Sequence, residues 1–298
     1  MKRIMAWLTY LIYSALWRAV RIVPEKSAYA IFDLLATLAY KRNGKRVSRL
    51  RSNYRAVKPE LPASELEVLV QEGLKSAMRY WCDTFRISDW SKERVFTTVT
   101  TQNEEYLLRP IEQGRGLIVA LPHAGNWDHA GAYICARGVR VNTVAEHLKP
   151  ERLFRKFLAH REAMGMQVLD LNAGVFGELE SILNEGELVA LVADRDLSRS
   201  RVNVDFFGKT ARMPAGPALL AYKTNADLIT AYVSYTTSGI HLKFAEPLAI
   251  DYQAEQKIEI ERITQLLANQ FEYDISNNLT SWHMQQRIFI DESFVERS

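Results

Sequence analysis

Cysteine is scarce: the 298-residue chain has two, Cys82 and Cys135. One pair cannot build a disulfide framework or a cysteine-rich zinc site, so a reducing compartment is the simpler inference. Only 14 glycines and nine prolines are present, which excludes a collagen-like chain. With 48% hydrophobic residues, disorder is excluded as well. No internal repeat or low-complexity linker divides residues 1–298, so a single domain is expected. The first apolar run has no small-residue cleavage site after it, and no secretory signal is read. That run, residues 4–17 (IMAWLTYLIYSALW), is also shorter than the roughly 20 residues a spanning helix needs.

What the chain does have is lopsided charge. Residues 1–59 carry 13 Lys and Arg against two acids, Glu25 and Asp33, a net +11. The remainder carries 25 basic residues against 33 acidic ones, a net −8. No acid interrupts residues 41–59, where Lys41, Arg42, Lys45, Arg46, Arg49, Arg51, Arg55 and Lys58 cluster. Trp7, Tyr10, Tyr13 and Trp17 are side chains that suit the headgroup level of a bilayer. Each cation near an anionic leaflet contributes about 1 kcal/mol. Residues 1–59 are therefore expected to form a basic, amphipathic helical segment that lies on an anionic membrane surface. Two helices packed on the body, with the charge as a solvated face, fit the same residues. Nucleic acid is not expected as a partner, because no nucleic-acid motif accompanies the charge.

The body alternates short apolar runs with helix-length segments. Leu117–Leu121, Val141–Ala145, Met166–Asp170 and Leu188–Val192 read as strands, separated by helices at 127–137, 151–164 and 174–184. Helices are also expected at 64–80, at 101–113 and from about Tyr252 to Ile275. Leu228–Ser234 and Ile240–Ala245 flank a turn and predict an antiparallel hairpin. The fold class is therefore α/β: a central, mostly parallel sheet with helices on both faces.

The segment Leu121-Pro122-His123-Ala124-Gly125-Asn126-Trp127-Asp128 follows one such strand and opens a helix. His123 then lies at the carboxyl end of a sheet strand, where ligand crevices open in α/β folds. Asp128 could take the Nδ1 proton of His123 and leave Nε2 as a general base. A histidine hydrogen-bonded within a loop fits this short pattern equally well. His123, Asp128, Asp194, Asp196 and His283 could instead converge on a divalent ion, but their spacing matches no metal motif.

His-x4-Asp on a strand–turn–helix resembles the glycerolipid acyltransferase signature. HAGNWD followed in order by AEHLKPERLF, REAMG, ADRDL, DFFG, RMPAGPA and WHMQQR is similar to the bacterial lipid A acyltransferase superfamily, over nearly the whole chain. Within it the resemblance is greatest to the actinobacterial phosphatidylinositol mannoside branch. The resemblance implies transfer of a palmitoyl-type chain from acyl-CoA to the 6-position of the mannose on inositol C2 of phosphatidylinositol mannosides. It implies a peripheral enzyme at the cytoplasmic face of the plasma membrane, with no cofactor beyond acyl-CoA as co-substrate. His123 would be the base, with Asp128 orienting it. Asp194 stands where that branch has a catalytic Glu, one methylene longer, and would hold the acceptor hydroxyl or complete the charge relay around His123. Arg161 and Ser200 match donor-site positions, and Lys223 matches a ligand position where a Glu would be expected. Arg195 and Arg212 are candidate anion contacts. Within RMPAGPALLA, Pro214 is expected in the first turn of a helix. Trp282 and Met284 carry no assigned role, and His283 is expected to be a structural hydrogen-bonding group. Two other functions stay open: a lipid A-type transferase using an acyl-carrier protein, and a non-catalytic membrane-binding scaffold.

Overall fold

The structure, a computed structural model, describes residues 2–147, 149–196 and 201–290. Four helices come first: α1 (Lys2–Ile22), α2 (Glu25–Arg42), α3 (Lys45–Val57) and α4 (Ala63–Arg86). Pro24 caps the break between α1 and α2, and Asn43, in the left-handed region at φ 48°, ends α2. On α4 the stripe Leu66, Val70, Leu74 and Ala77 is buried at helical spacing, and the helix packs against α1, α2 and α3. Trp17 is corrected from a bilayer-facing residue to a core one. It is buried, its indole N–H donates to the Phe85 carbonyl at 3.0 Å, and its ring meets Phe85 and Phe157. No helix among the described residues is long and apolar enough to cross a membrane.

The body follows as α5 (Lys92–Thr97), β1 (Val99–Gln102), α6 (Glu105–Glu112), β2 (Leu117–Leu121), α7 (Trp127–Ala136), β3 (Val141–Ala145), α8 (Glu151–Glu162), β4 (Gln167–Asp170), α9 (Val175–Asn184) and β5 (Leu188–Val192). It continues through β6 (Arg201–Phe206), β7 (Lys209–Pro214), α10 (Gly216–Thr224), β8 (Asp227–Tyr235), β9 (Ile240–Phe244) and α11 (Gln256–Asn277). Seven strands form one sheet in the order β1-β9-β8-β2-β5-β3-β4, parallel throughout except for the antiparallel β8–β9 hairpin. Alternation along the strands divides two cores. Ile118, Ala120, Val189 and Leu191 face α9, α10 and α11, whereas Leu117, Val119 and Leu188 face the side of α6 and α7.

Three sequence expectations change. Residues 101–113 are not one helix: Thr101 and Gln102 end β1, whose parallel pairing with β9 outweighs local helical spacing, and α6 starts at Glu105. Pro214 closes β7 rather than opening a helix; Pro217 takes the first-turn position of α10. The β6–β7 hairpin, absent from the sequence reading, turns at Phe207 (φ 54°) and Gly208 (φ 67°).

Candidate active site

β2 and β5 are parallel neighbours, and a bond from the Ala193 N–H to the Leu121 carbonyl (2.8 Å) carries their pairing one residue past the end of β5. The chain leaving β2 carries His123, and the chain leaving β5 carries Asp194. Gly125 turns sharply at φ 57°, and a Cβ there would overlap the Val233 carbonyl, so only glycine fits. Asn126 then caps α7 by accepting the His129 N–H at 2.9 Å. The turn is also zipped to the chain beyond α11. Gly125 N–H donates to the Ser281 carbonyl, His283 N–H donates to the His123 carbonyl (both 2.8 Å), and Ala124 forms a β-bridge with Trp282.

His123 Nδ1 lies 2.5 Å from Asp194 Oδ1. Asp194 Oδ2 accepts two further bonds, from the His123 backbone N–H at 3.0 Å and the Trp282 indole N–H at 2.8 Å. Full burial alone would raise the Asp194 pKa; the His123 ring and the N–H donors reverse this and hold it below its ordinary value. An ionised Asp194 can only accept, so Nδ1 of His123 donates to it; in the neutral ring this tautomer places the lone pair on Nε2.

Asp128 is therefore corrected as the partner of His123. It lies in the first turn of α7, 1% exposed, and its carboxylate is bonded elsewhere. Arg161 Nε donates to Oδ1 at 2.7 Å; Tyr80 and Thr84 hydroxyls donate to Oδ2 at 3.1 and 3.3 Å. The helix start swings the side chain toward α4 and α8, and Asp194, on the adjoining strand, takes the place beside the imidazole. The charge of Asp128, followed by the loss of solvation on burial, dominates at Arg161, and the net effect raises its pKa.

An apolar cavity of about 700 Å³ opens at His123, within the size range of small-molecule sites. Its wall crosses five adjacent strands, β3, β5, β2, β8 and β9, and α7 contributes Ala130, Gly131 and Ile134. Arg161 and Arg195 line it too. Lys223 does not belong to this site. It sits on α10, among the helices of the other face, pairs with Glu180 at 3.3 Å and is not part of the cavity wall. Arg212 Nε reaches Asn203 Oδ1 at 3.4 Å, and its carbonyl accepts the Asp196 N–H. Ser200 lies outside the described residues. His283 is buried, which together with the nearby His123 lowers its pKa to about 3. Its ring nitrogen Nε2 meets Ser76 Oγ at 2.8 Å. The described residues contain no group of three His, Cys, Asp or Glu able to hold a metal. Trp282, Tyr80 and Thr84 are the contacts the sequence reading missed; only the WHMQQR motif pointed toward the first.

Residues 2–290 match the bacterial lipid A biosynthesis acyltransferase family. A phosphatidylinositol mannoside acyltransferase of Mycolicibacterium smegmatis is 36% identical over 288 residues, covering 96% of this chain and 92% of that protein. A phosphatidylinositol mannoside acyltransferase of Mycobacterium tuberculosis is 36% identical over 279 residues, covering 92% of this chain and 86% of that protein. A match over nearly the full length makes this chain a member of the bacterial lipid A biosynthesis acyltransferase family, an enzyme of acyl transfer.

Proposed function

We propose that the enzyme moves a long, palmitoyl-type acyl chain from acyl-CoA to the mannose 6-hydroxyl, on inositol C2, of a phosphatidylinositol mannoside. The observation that carries the chemistry is the His123–Asp194 pair at the edge of a long apolar cavity. Five strands at sheet spacing span roughly 19 Å, and each methylene buried there contributes about 0.8 kcal/mol. The acceptor follows from the names of the mycobacterial relatives. His123 Nε2 takes the sugar hydroxyl proton as the oxygen attacks the thioester carbonyl. The C–S bond breaks, and the imidazolium, stabilised by Asp194, returns its proton to the departing thiolate. No acyl-enzyme is needed. Transfer of radiolabel from palmitoyl-CoA to phosphatidylinositol mannoside is expected with the wild-type protein and not with His123→Ala. Hydrolysis of the thioester without transfer would reject the acceptor; turnover only with an acyl-carrier-protein thioester would reject the donor.

We further propose that the enzyme works as a peripheral protein on the cytoplasmic face of the plasma membrane. α1 leaves Trp7, Leu8, Leu11, Ile12 and Leu16 exposed, and α2 leaves Ile31, Leu34, Leu35 and Leu38 exposed. Lys41, Arg42, Lys45 and Arg46 are exposed next to them. Trp17 connects α1 to Phe157, part of the cavity wall, so the apolar helices adjoin the place where an acyl chain would enter. In a flotation assay the protein is expected to rise with anionic liposomes at physiological salt and to stay behind with neutral ones; equal behaviour with both rejects the electrostatic part of the proposal.

A further inference from the structure

Asp194 is 0% exposed, and a buried carboxylate must be held by donors if it is to stay ionised and fixed. Two of its three donors among the described residues, the ring Nδ1 and the backbone N–H, belong to His123 itself. They tie the carboxylate to the residue it has to orient, and rotation of a carboxylate about its last bond is otherwise soft. The third donor comes from a separate part of the fold. The Trp282 indole is fully buried, its ring lies against Phe206 and Phe207, and its carbonyl accepts the Tyr54 hydroxyl at 3.0 Å.

We propose that Trp282 is a positioning residue for acyl transfer: its indole N–H fixes the plane of the Asp194 carboxylate so that Oδ1 stays on His123 Nδ1. The N–H occupies Oδ2, and among the described residues Oδ1 meets the imidazole alone. This rests on the reading of His123 as the base.

The test compares wild type, Trp282→Phe, and a protein in which Trp282 alone is replaced by 3-benzothienylalanine, whose sulfur stands where the indole N–H was and whose bulk preserves the packing. Loss of a bond to a charged acceptor is expected to lower kcat about tenfold, with KM for palmitoyl-CoA unchanged. A carboxylate with fewer donors attracts the imidazole proton more strongly, so His123 protonates more readily and the acidic limb of the kcat/KM profile moves to higher pH. A role in packing alone would leave the benzothienyl protein with wild-type kcat and an unmoved limb, or would scale activity equally at every pH; either result overturns the proposal. His123→Ala runs alongside. If that variant keeps wild-type activity, the base is wrong and the Trp282 proposal falls with it. If it is inactive while the benzothienyl protein matches wild type, only the Trp282 proposal falls.

Discussion

Asp194→Asn is expected to cut kcat by a factor on the order of 10³–10⁴ while leaving the protein folded, a loss of the size seen when a catalytic histidine is forced into the wrong tautomer. The reason lies in the two N–H groups, from His123 and Trp282, that point at one carboxylate oxygen. In the variant only the amide oxygen can satisfy both, so the amide NH2 must face His123 Nδ1. The ring then accepts at Nδ1 and carries its proton on Nε2, the nitrogen that takes the acceptor's proton in the proposed mechanism. Steady-state transfer rates together with circular dichroism check this. Wild-type activity in a folded Asp194→Asn protein would remove Asp194 from the mechanism. Asp128→Asn should behave differently, because Asp128 does not touch the imidazole: its main effect should be on stability.

Arg161→Leu is expected to destabilise the protein by about 3–5 kcal/mol, the usual cost of leaving one member of a buried ion pair unpaired. Asp128 is 1% exposed and the Arg161 side chain 20%, so the pair is largely shielded from solvent. The melting temperature should fall by roughly 5–8 °C. Adding Asp128→Asn removes the stranded charge and should recover most of the loss, so the double variant is expected to be more stable than Arg161→Leu alone. Thermal scans of the three proteins decide it. A single variant that melts with wild type would mean that Tyr80 and Thr84 are sufficient for Asp128.

The fold was legible where burial leaves a local mark. β2 and β5 lie between two cores, and their apolar runs LIVAL and LVALV declare it. β1 leaves no such mark: Val99–Gln102 becomes a strand by pairing with Ile240–Lys243, far along the chain. The β6–β7 turn is hidden for another reason. Phe207 adopts φ 54°, a conformation bulky residues rarely take, and Phe-Gly carries no Asn-Gly or Asp-Gly signal. His123 was legible from the strand–turn–helix pattern, whereas Asp194 entered only through the family resemblance and not through local spacing. Five residues of spacing made Asp128 look adjacent, but Asp194 is adjacent because β5 lies beside β2, and sheet order is not written in local pattern. Lys223 came from the resemblance, at a position where a Glu would be expected; on α10 it pairs with Glu180 on the other face of the sheet.

The zipper between the His123 turn and residues 281–283 also has a consequence for the order of events during synthesis. When a growing chain has just completed β9, every strand of the large sheet exists, but the segment that holds Gly125, the His123 carbonyl and Asp194 Oδ2 has yet to be made. Domains begin to fold as they emerge, so the sheet and its apolar cleft precede the contacts that fix the His123 turn. That cleft gains its ordered histidine only after α11 is finished, so the part of the chain made last completes the geometry of the part made first.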